Sequence, residues 1–374
     1  MAGNGSHRSS RYWQDLPTGP GRGCSDWHHA DVINRSGIDI CRAFFHELVR
    51  PIVASRVPEN SFAAGRVGGG SDALGLDDET SRDHDWGLRL SLFVAEDEQI
   101  EDVVAALDDE LPQAFRGLPT RFAFTGEAAA RHHVDVATVA GFTVSTLGFD
   151  PRGEITPADW LSTTGQAVLE VTAGPVFFDG SGELLRARDA LSWYPADIWR
   201  YVLACDWARL SQEMPLMGRA ADVGDELGSR VISARVAQMI MHLTFLLERR
   251  WPPYSKWFGT LWARLPSARG LQPSVEAIVA GFDHATRQEG AADALELLLE
   301  RQNQLGLSQA SVATVPFWDR PYLHPAPEIS DQLMAGIEDP AVRSLPVGLG
   351  SIEQRTDNVD ILVNPAARRR FPIG

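Results

Sequence analysis

The stretch Gly68-Gly69-Gly70-Ser71, followed after eleven residues by Asp83-His84-Asp85-Trp86-Gly87-Leu88, decides the reading of this chain. Residues 83–94 alternate as a strand does, so Asp83 and Asp85 project to one face while His84, Trp86, Leu88, Leu90 and Leu92 project to the other. The leucine face is the core side. Two carboxylates about 7 Å apart on the remaining face repel unless something neutralises them. A divalent cation does so, and hard oxygen ligands favour Mg²⁺ or Mn²⁺. The glycines ahead of Ser71 let backbone N–H groups approach a phosphate closely. Asp135, in His132-His133-Val134-Asp135-Val136, is the candidate third carboxylate of a two-ion site, with Val134 and Val136 facing away from it. Arg82 reads equally as a triphosphate contact or a surface ion pair.

Outward from this stretch, Ser36 is a plausible N-cap for a helix over 37–55, with Ile40, Phe44, Leu48 and Ile52 on one face. Strands are expected at Phe62 to Val67, Asp83 to Val94, Arg121 to Thr125 and His132 to Phe142, and a helix at Glu98 to Phe115. From about residue 155 the patterns become long and helical, at 157–171, 195–213, 228–250, 272–286 and 289–304, interrupted early by an extended Val176 to Asp179. In the third of these, Ile232, Val236, Met239, Leu243 and Leu246 keep the spacing of a bundle helix. The expected fold is an α/β (α+β) domain with a mixed sheet over 36–150 and an all-α helical bundle over 151–305. A flexible arm over 1–35 precedes them, and a Pro-rich extension over 306–374 packs on the body.

Composition limits the function classes. At 374 residues with 44% hydrophobic and 22% charged content, the chain has the make-up of a folded protein of two or three domains. Fifty acidic against 34 basic residues, a net charge of −16, argue against stable nucleic-acid binding. No run approaches the ~18–20 apolar residues of a membrane span, and Met1 to Pro20 holds no apolar leader core. Three cysteines form neither a disulfide framework nor a zinc pattern, so a reduced, cytoplasmic protein is expected. Only one basic residue, Lys256, is a lysine. Asp225 reads as an N-cap, with Arg230 on the same helix start able to meet a phosphate. The pairs His28-His29 and His132-His133 lack metal-ligand spacing and read as structural. Gly68–Gly70 is not a Walker loop, because no Gly-Lys-Ser follows it.

Gly-Ser, a gap, Asp-x-Asp and a lone acid on a later strand resemble the polymerase-beta-type nucleotidyltransferase superfamily. A helical domain behind the catalytic one is similar in layout to the aminoglycoside (kanamycin) and streptomycin nucleotidyltransferases. The chain also resembles a bacterial nucleotidyltransferase-like family of unknown function. That likeness lies in Gly70-Ser71 through Asp85, Tyr194–Trp199, Gly224–Arg230 and Pro253-Tyr254-Ser255-Lys256-Trp257-Phe258-Gly259, together about residues 60–265.

The resemblance implies that Asp83, Asp85 and Asp135 hold two Mg²⁺ or Mn²⁺ ions and that Ser71 contacts the β/γ-phosphates of an NTP. Asp135 would ligate metal or activate the acceptor, and Lys256 would reach the triphosphate from the helical domain. Gly70, Arg82, Arg230 and Tyr254 complete the expected nucleotide-binding set. His84 departs from the superfamily's usual apolar residue. The implied reaction moves an NMP, AMP in the first instance, to a hydroxyl of a small molecule, and a homodimer is compatible with it. Transfer to a protein acceptor, and a silent nucleotide-binding protein, are the alternatives.

Overall fold

The computed structural model describes residues 37–76, 87–124 and 128–370; the expected arm over 1–35 lies outside them. The first amphipathic run forms α1 (Gly37–Phe44), a π turn (Phe45–Val49) and α2 (Arg50–Ala54). Pro51 accounts for the wide turn, since its ring would strike the carbonyl four residues back in a regular α-helix. The extra residue also shifts the buried stripe: Phe44, Phe45 and Val49 are buried and Leu48 is not.

The sheet is built from β1 (Phe62–Gly65), β2 (Arg89–Val94), β5 (Arg121–Phe122), β6 (Arg131–Thr138) and β7 (Val176–Asp179), with α3 (Glu98–Glu110) and a small hairpin, β3 (Ala114–Phe115) and β4 (Leu118–Pro119), between β2 and β5. Its order is β5-β6-β2-β1-β7. β2 and β6 are parallel, and the other pairs are antiparallel, so the sheet is mixed. Leu88, Leu90 and Leu92 are all buried, as the alternation requires. β7 pairs with β1, so the chain returns to the sheet after three helices, α4 (Val139–Leu147), α5 (Pro157–Ser162) and α6 (Gly165–Thr172).

Several boundaries differ from expectation: within the described residues the strand expected over Asp83 to Val94 begins at Arg89, the helix expected to reach Phe115 ends at Glu110 with Ala114–Phe115 in β3, and the helix expected over 195–213 runs on to Asp222. Two others differ for a local reason. The strand expected to run to Phe142 stops at Thr138, whose hydroxyl accepts from the Gly141 N–H and caps α4. The helix expected over 157–171 breaks at Thr163-Thr164, where the Thr164 side chain accepts from the Ala167 N–H and starts α6.

A large helical region follows. After α7 (Glu183–Ala190), it contains α8 (Ala196–Asp222), α9 (Glu226–Leu247), α10 (Ser255–Trp262), α11 (Ala268–Ala280) and α12 (His284–Gln304). Trp199 and Trp207 of α8 are buried, and each indole N–H finds an acceptor: the Leu246 carbonyl at 2.9 Å and Gln302 Oε1 at 2.8 Å. Among the described residues α9 is the one helix long and apolar enough to cross a bilayer, but 56% of that window is buried inside the protein. It packs against α8, α11 and α12, which accounts for its apolarity as that of a core helix.

The C-terminal residues form a hairpin, β8 (Thr314–Pro316) and β9 (Leu323–Pro325), then α13 (Pro327–Ala335), α14 (Pro340–Arg343), α15 (Ile352–Arg355), α16 (Val359–Leu362) and α17 (Pro365–Arg370). This segment is tied to α8 by Gln354 Nε2, which donates to the Val202 carbonyl at 2.9 Å and to Asp206 Oδ1 at 2.7 Å. Arg368 in α17 is 2% exposed and donates to the Thr146 carbonyl at the end of α4.

Candidate active site

β1 leads into a loop wound around one guanidinium. Arg66 is 2% exposed; its Nε and Nη2 donate to the Asp72 carboxylate at 2.6 and 2.8 Å, its Nη1 to the Val67 carbonyl at 2.9 Å and its Nη2 to the Gly69 carbonyl at 2.8 Å. Gly70 has φ +129°, and a Cβ there would lie 2.4 Å from Asp72 Oδ1 and 2.5 Å from Arg66 Nη2. Only glycine fits this tight wrap. Among the described residues nothing accepts from the N–H groups of Gly69, Gly70 or Ser71, and the two glycines are exposed. Such a run of open amides favours an anion.

The loop is held from behind. The Gly68 N–H donates to the Glu170 carbonyl of α6 at 2.7 Å, and the Arg66 N–H to the Pro175 carbonyl at 3.0 Å. Gly174 has φ +74°, and a Cβ there would lie 2.1 Å from the Arg66 carbonyl oxygen, so the α6–β7 turn abuts the loop backbone. From the front, Ser91 Oγ of β2 donates to the Val67 carbonyl at 3.0 Å.

Asp135 of β6 lies across the parallel ladder from Ser91. Paired residues share a face, so its carboxylate stands on the side of the sheet away from Leu90 and Leu92. A cavity of about 230 Å³ is lined by Arg66, Gly68, Gly69, Ser91, Asp135 and Phe142 among others. The loop and Asp135 therefore share one recess. The Asp135 side chain is 70% exposed, with Arg131 Nη1 at 3.6 Å from its Oδ1.

Arg82, Asp83 and Asp85 lie outside the described residues, as does His84. Among the described residues there is no group of three His, Cys, Asp or Glu side chains able to hold a metal ion. Asp135 supplies one open carboxylate, and the other two expected donors fall in the segment that is not described.

Tyr254 and Lys256 begin α10. The Tyr254 N–H donates to Gln166 Oε1 at 3.2 Å, and Gln166 Nε2 donates to Glu170 Oε1 at 3.0 Å one turn along α6. Because the Glu170 carbonyl holds Gly68, α6 connects the start of α10 to the glycine loop. Lys256 is exposed, its Nζ 4.8 Å from the centre of the Trp257 ring. Arg230 is engaged elsewhere, with Glu226 at 2.9 Å and the Phe282 carbonyl at 3.1 Å. Asp225 caps α9 through the Gly228 N–H at 2.8 Å.

Three residues of the recess were not singled out by motif. Arg66 directly precedes the glycines and Ser91 has the parity of Asp85. Arg89, of the same parity, brings its Nη1 to 3.5 Å from where a Gly70 Cβ would stand and its guanidinium over the Phe124 ring. Strand parity alone would have picked out Arg89 and Ser91. The two histidines before Asp135 are structural: His133 Nε2 is 2.8 Å from the Phe122 carbonyl oxygen and its ring stacks on Phe124, while burial lowers the pKa of His132 despite nearby Asp108.

Residues 160–258 match a family model described as a domain of unknown function (DUF4037). The match runs from α5 to the start of α10 and includes α6, Tyr254 and Lys256, but neither the glycine loop nor Asp135. No curated protein matches the chain.

Proposed function

We propose that this protein is a metal-dependent nucleotidyltransferase that moves an NMP, AMP in the first instance, from an NTP to a hydroxyl of a small molecule. The observation that carries the reading is the recess shared by the glycine loop and Asp135, beside β2, the strand that follows Asp83-His84-Asp85 in the chain. Among the described residues Ser91 and Asp135 pair on the face of the sheet away from Leu90 and Leu92, the face on which the sequence alternation expects Asp83 and Asp85. Open amides at Gly69, Gly70 and Ser71 suit the β/γ-phosphates. Lys256 and Tyr254, linked to the loop through α6, suit a triphosphate reached from the helical region, as the resemblance to the polymerase-beta-type superfamily implies.

Asp83, Asp85 and Asp135 would hold Mg²⁺ or Mn²⁺, which when bound neutralises charge on the phosphates. The acceptor hydroxyl gives its proton to the Asp135 carboxylate and its oxygen bonds to the α-phosphorus. The bond from the α-phosphorus to the bridging oxygen breaks, and pyrophosphate leaves. The test is pyrophosphate release with each of the four NTPs, Mg²⁺ or Mn²⁺, and a panel of hydroxylated acceptors that includes aminoglycosides. Metal-dependent release with one NTP, lost in Asp83→Asn, is expected. Absence of any nucleotide binding by calorimetry would overturn the reading.

A further inference from the structure

The two longest helices of the helical region leave an apolar face uncovered. α8 and α9 run antiparallel, joined by a turn in which the Gly224 N–H donates to the Ala221 carbonyl and the Asp225 N–H to the Ala220 carbonyl, both at 2.9 Å. Further along, Arg235 Nη2 of α9 meets Glu213 Oε1 of α8 at 2.6 Å, which sets the register of the pair. Between that ion pair and the turn the outward positions are apolar: Leu216 and Val223 from the α8 side, Leu227 and Val231 from α9. Exposed Ala234 continues the α9 stripe, on the side of the helix away from buried Ser229, Ser233 and Ile240. On the other flank of α9, Arg230 Nη2 donates to the Phe282 carbonyl at 3.1 Å and so holds Phe282 at the edge of the stripe.

The face is large. Leu227 is 79% and Phe282 87% exposed, and Leu216, Val223 and Val231 are each half exposed or more. Together they present on the order of 600 Å² of surface, the upper end of what the largest apolar patch on an ordinary monomer reaches. With its polar rim the face approaches the area of about 800 Å² that each partner gives to a stable dimer. The acids of that rim are matched within the chain: Glu213 by Arg235, Glu226 by Arg230 and Arg287, and Asp225 by the Gly228 N–H that it caps. A chain of net charge −16 therefore carries here a face that does not repel its own copy.

We propose that this face is the contact surface for a second copy of the chain, a two-fold dimer in which α9 packs against α9. A two-fold contact uses the same patch twice, so the patch must complement itself. An antiparallel copy crossing near Val231 sets Leu227 against Ala234 of the other copy, a large side chain over a small one. A charged partner would call for unmatched charge on the rim, whereas an equal apolar face with matched charges is what the second copy supplies. The inference stands apart from the function proposed above, since none of these residues belongs to the recess of the glycine loop and Asp135.

Sedimentation velocity on the full chain from about 1 to 100 μM, a range that brackets a micromolar Kd, tests this. Wild type is expected to sediment as a dimer at the upper concentrations. Val231→Asp puts an uncompensated carboxylate at the centre of the face in both copies and should weaken dimerisation about a hundredfold or more. Phe282→Ser, on a different element, should weaken it about tenfold. Both positions are exposed, so the far-UV circular dichroism of each variant should match wild type, and if one variant fails that check the other decides. Val359→Asp, at an exposed valine of α16, should leave the dimer intact. A wild type that is monomeric at every concentration overturns the proposal, and if that monomer floats with phosphatidylcholine vesicles the face takes a lipid surface instead. A dimer undiminished in either folded variant, or one lost equally in Val359→Asp, also overturns it.

Discussion

Asp135 on β6 stands directly opposite Ser91 on β2, and the Ser91 hydroxyl in turn grips the Val67 carbonyl at the root of the glycine loop. A carboxylate and a run of open amides are thus joined through one serine on a central strand. Neither strand end is free to slide, because the hydrophobic side of β2 is buried.

Replacement of Asp135 by Asn tests the carboxylate without disturbing the fold. Its side chain is 70% exposed, so stability in urea should change by no more than about 0.5 kcal/mol. Pyrophosphate release should drop by about a hundredfold or more if the carboxylate takes the proton. Full activity in Asp135→Asn would remove it from the chemistry.

Gly70→Ala strikes at the loop itself. The strained φ and the collision with Asp72 and Arg66 should cost about 1–3 kcal/mol, and ATP binding should weaken. Urea unfolding and calorimetry on the same variant read the two effects.

Arg66→Met removes the guanidinium around which the loop is wound and leaves the Asp72 carboxylate, 17% exposed, without it. A loss of about 3 kcal/mol in unfolding free energy is expected, because breaking a buried pair strands its partner. Asp72→Asn in the Arg66→Met background should restore part of that loss.

The buried pair Asp206–His242 predicts a pH dependence with a definite sign. Their hydrogen bond is 2.5 Å, and Asp206 also accepts from Arg209 and Gln354. Burial opposes the imidazolium, yet the charge and hydrogen bond of Asp206 outweigh it and hold the His242 pKa above its ordinary value. Burial likewise opposes the Asp206 carboxylate, and His242, Arg209 and Gln354 outweigh it to hold that pKa below the usual range. A raised histidine stabilises fully below about pH 6.5 and the gain is lost as pH rises through its folded value; a lowered carboxyl stabilises above about pH 3.9 and the gain is lost as pH falls through its own. Urea unfolding between pH 5 and 9 should therefore show a decline above neutrality in wild type that His242→Gln lacks.

Much of this arrangement is legible from side-chain periodicity. The alternation of Leu88, Leu90 and Leu92 identifies the core face of β2, and the valines around Asp135 place that residue on the opposite face. The α9 stripe from Val236 to Leu246 packs as its spacing demands. What the sequence does not disclose are contacts between distant residues. Nothing local to Gln354 announces Asp206, nor anything in Arg368 the Thr146 carbonyl. Thr138 and Thr164 end or start elements through one hydroxyl each, a signal too small to compete with the apolar patterns around them. The wrap of Arg66 by its own loop depends on the Pro175 turn, which arrives only after another hundred residues of chain.

That late arrival has a consequence for synthesis. β1 is flanked on one side by β2 and on the other by β7, so a nascent chain that has not yet emerged past Asp179 carries an open ladder of amides and carbonyls along Ala63–Gly65. Bare strand edges recruit other strands, and long-range pairings are slow to close. Any expressed piece that stops short of Val176 should be prone to self-association, and the interval before the ribosome delivers β7 is when this protein most needs a chaperone.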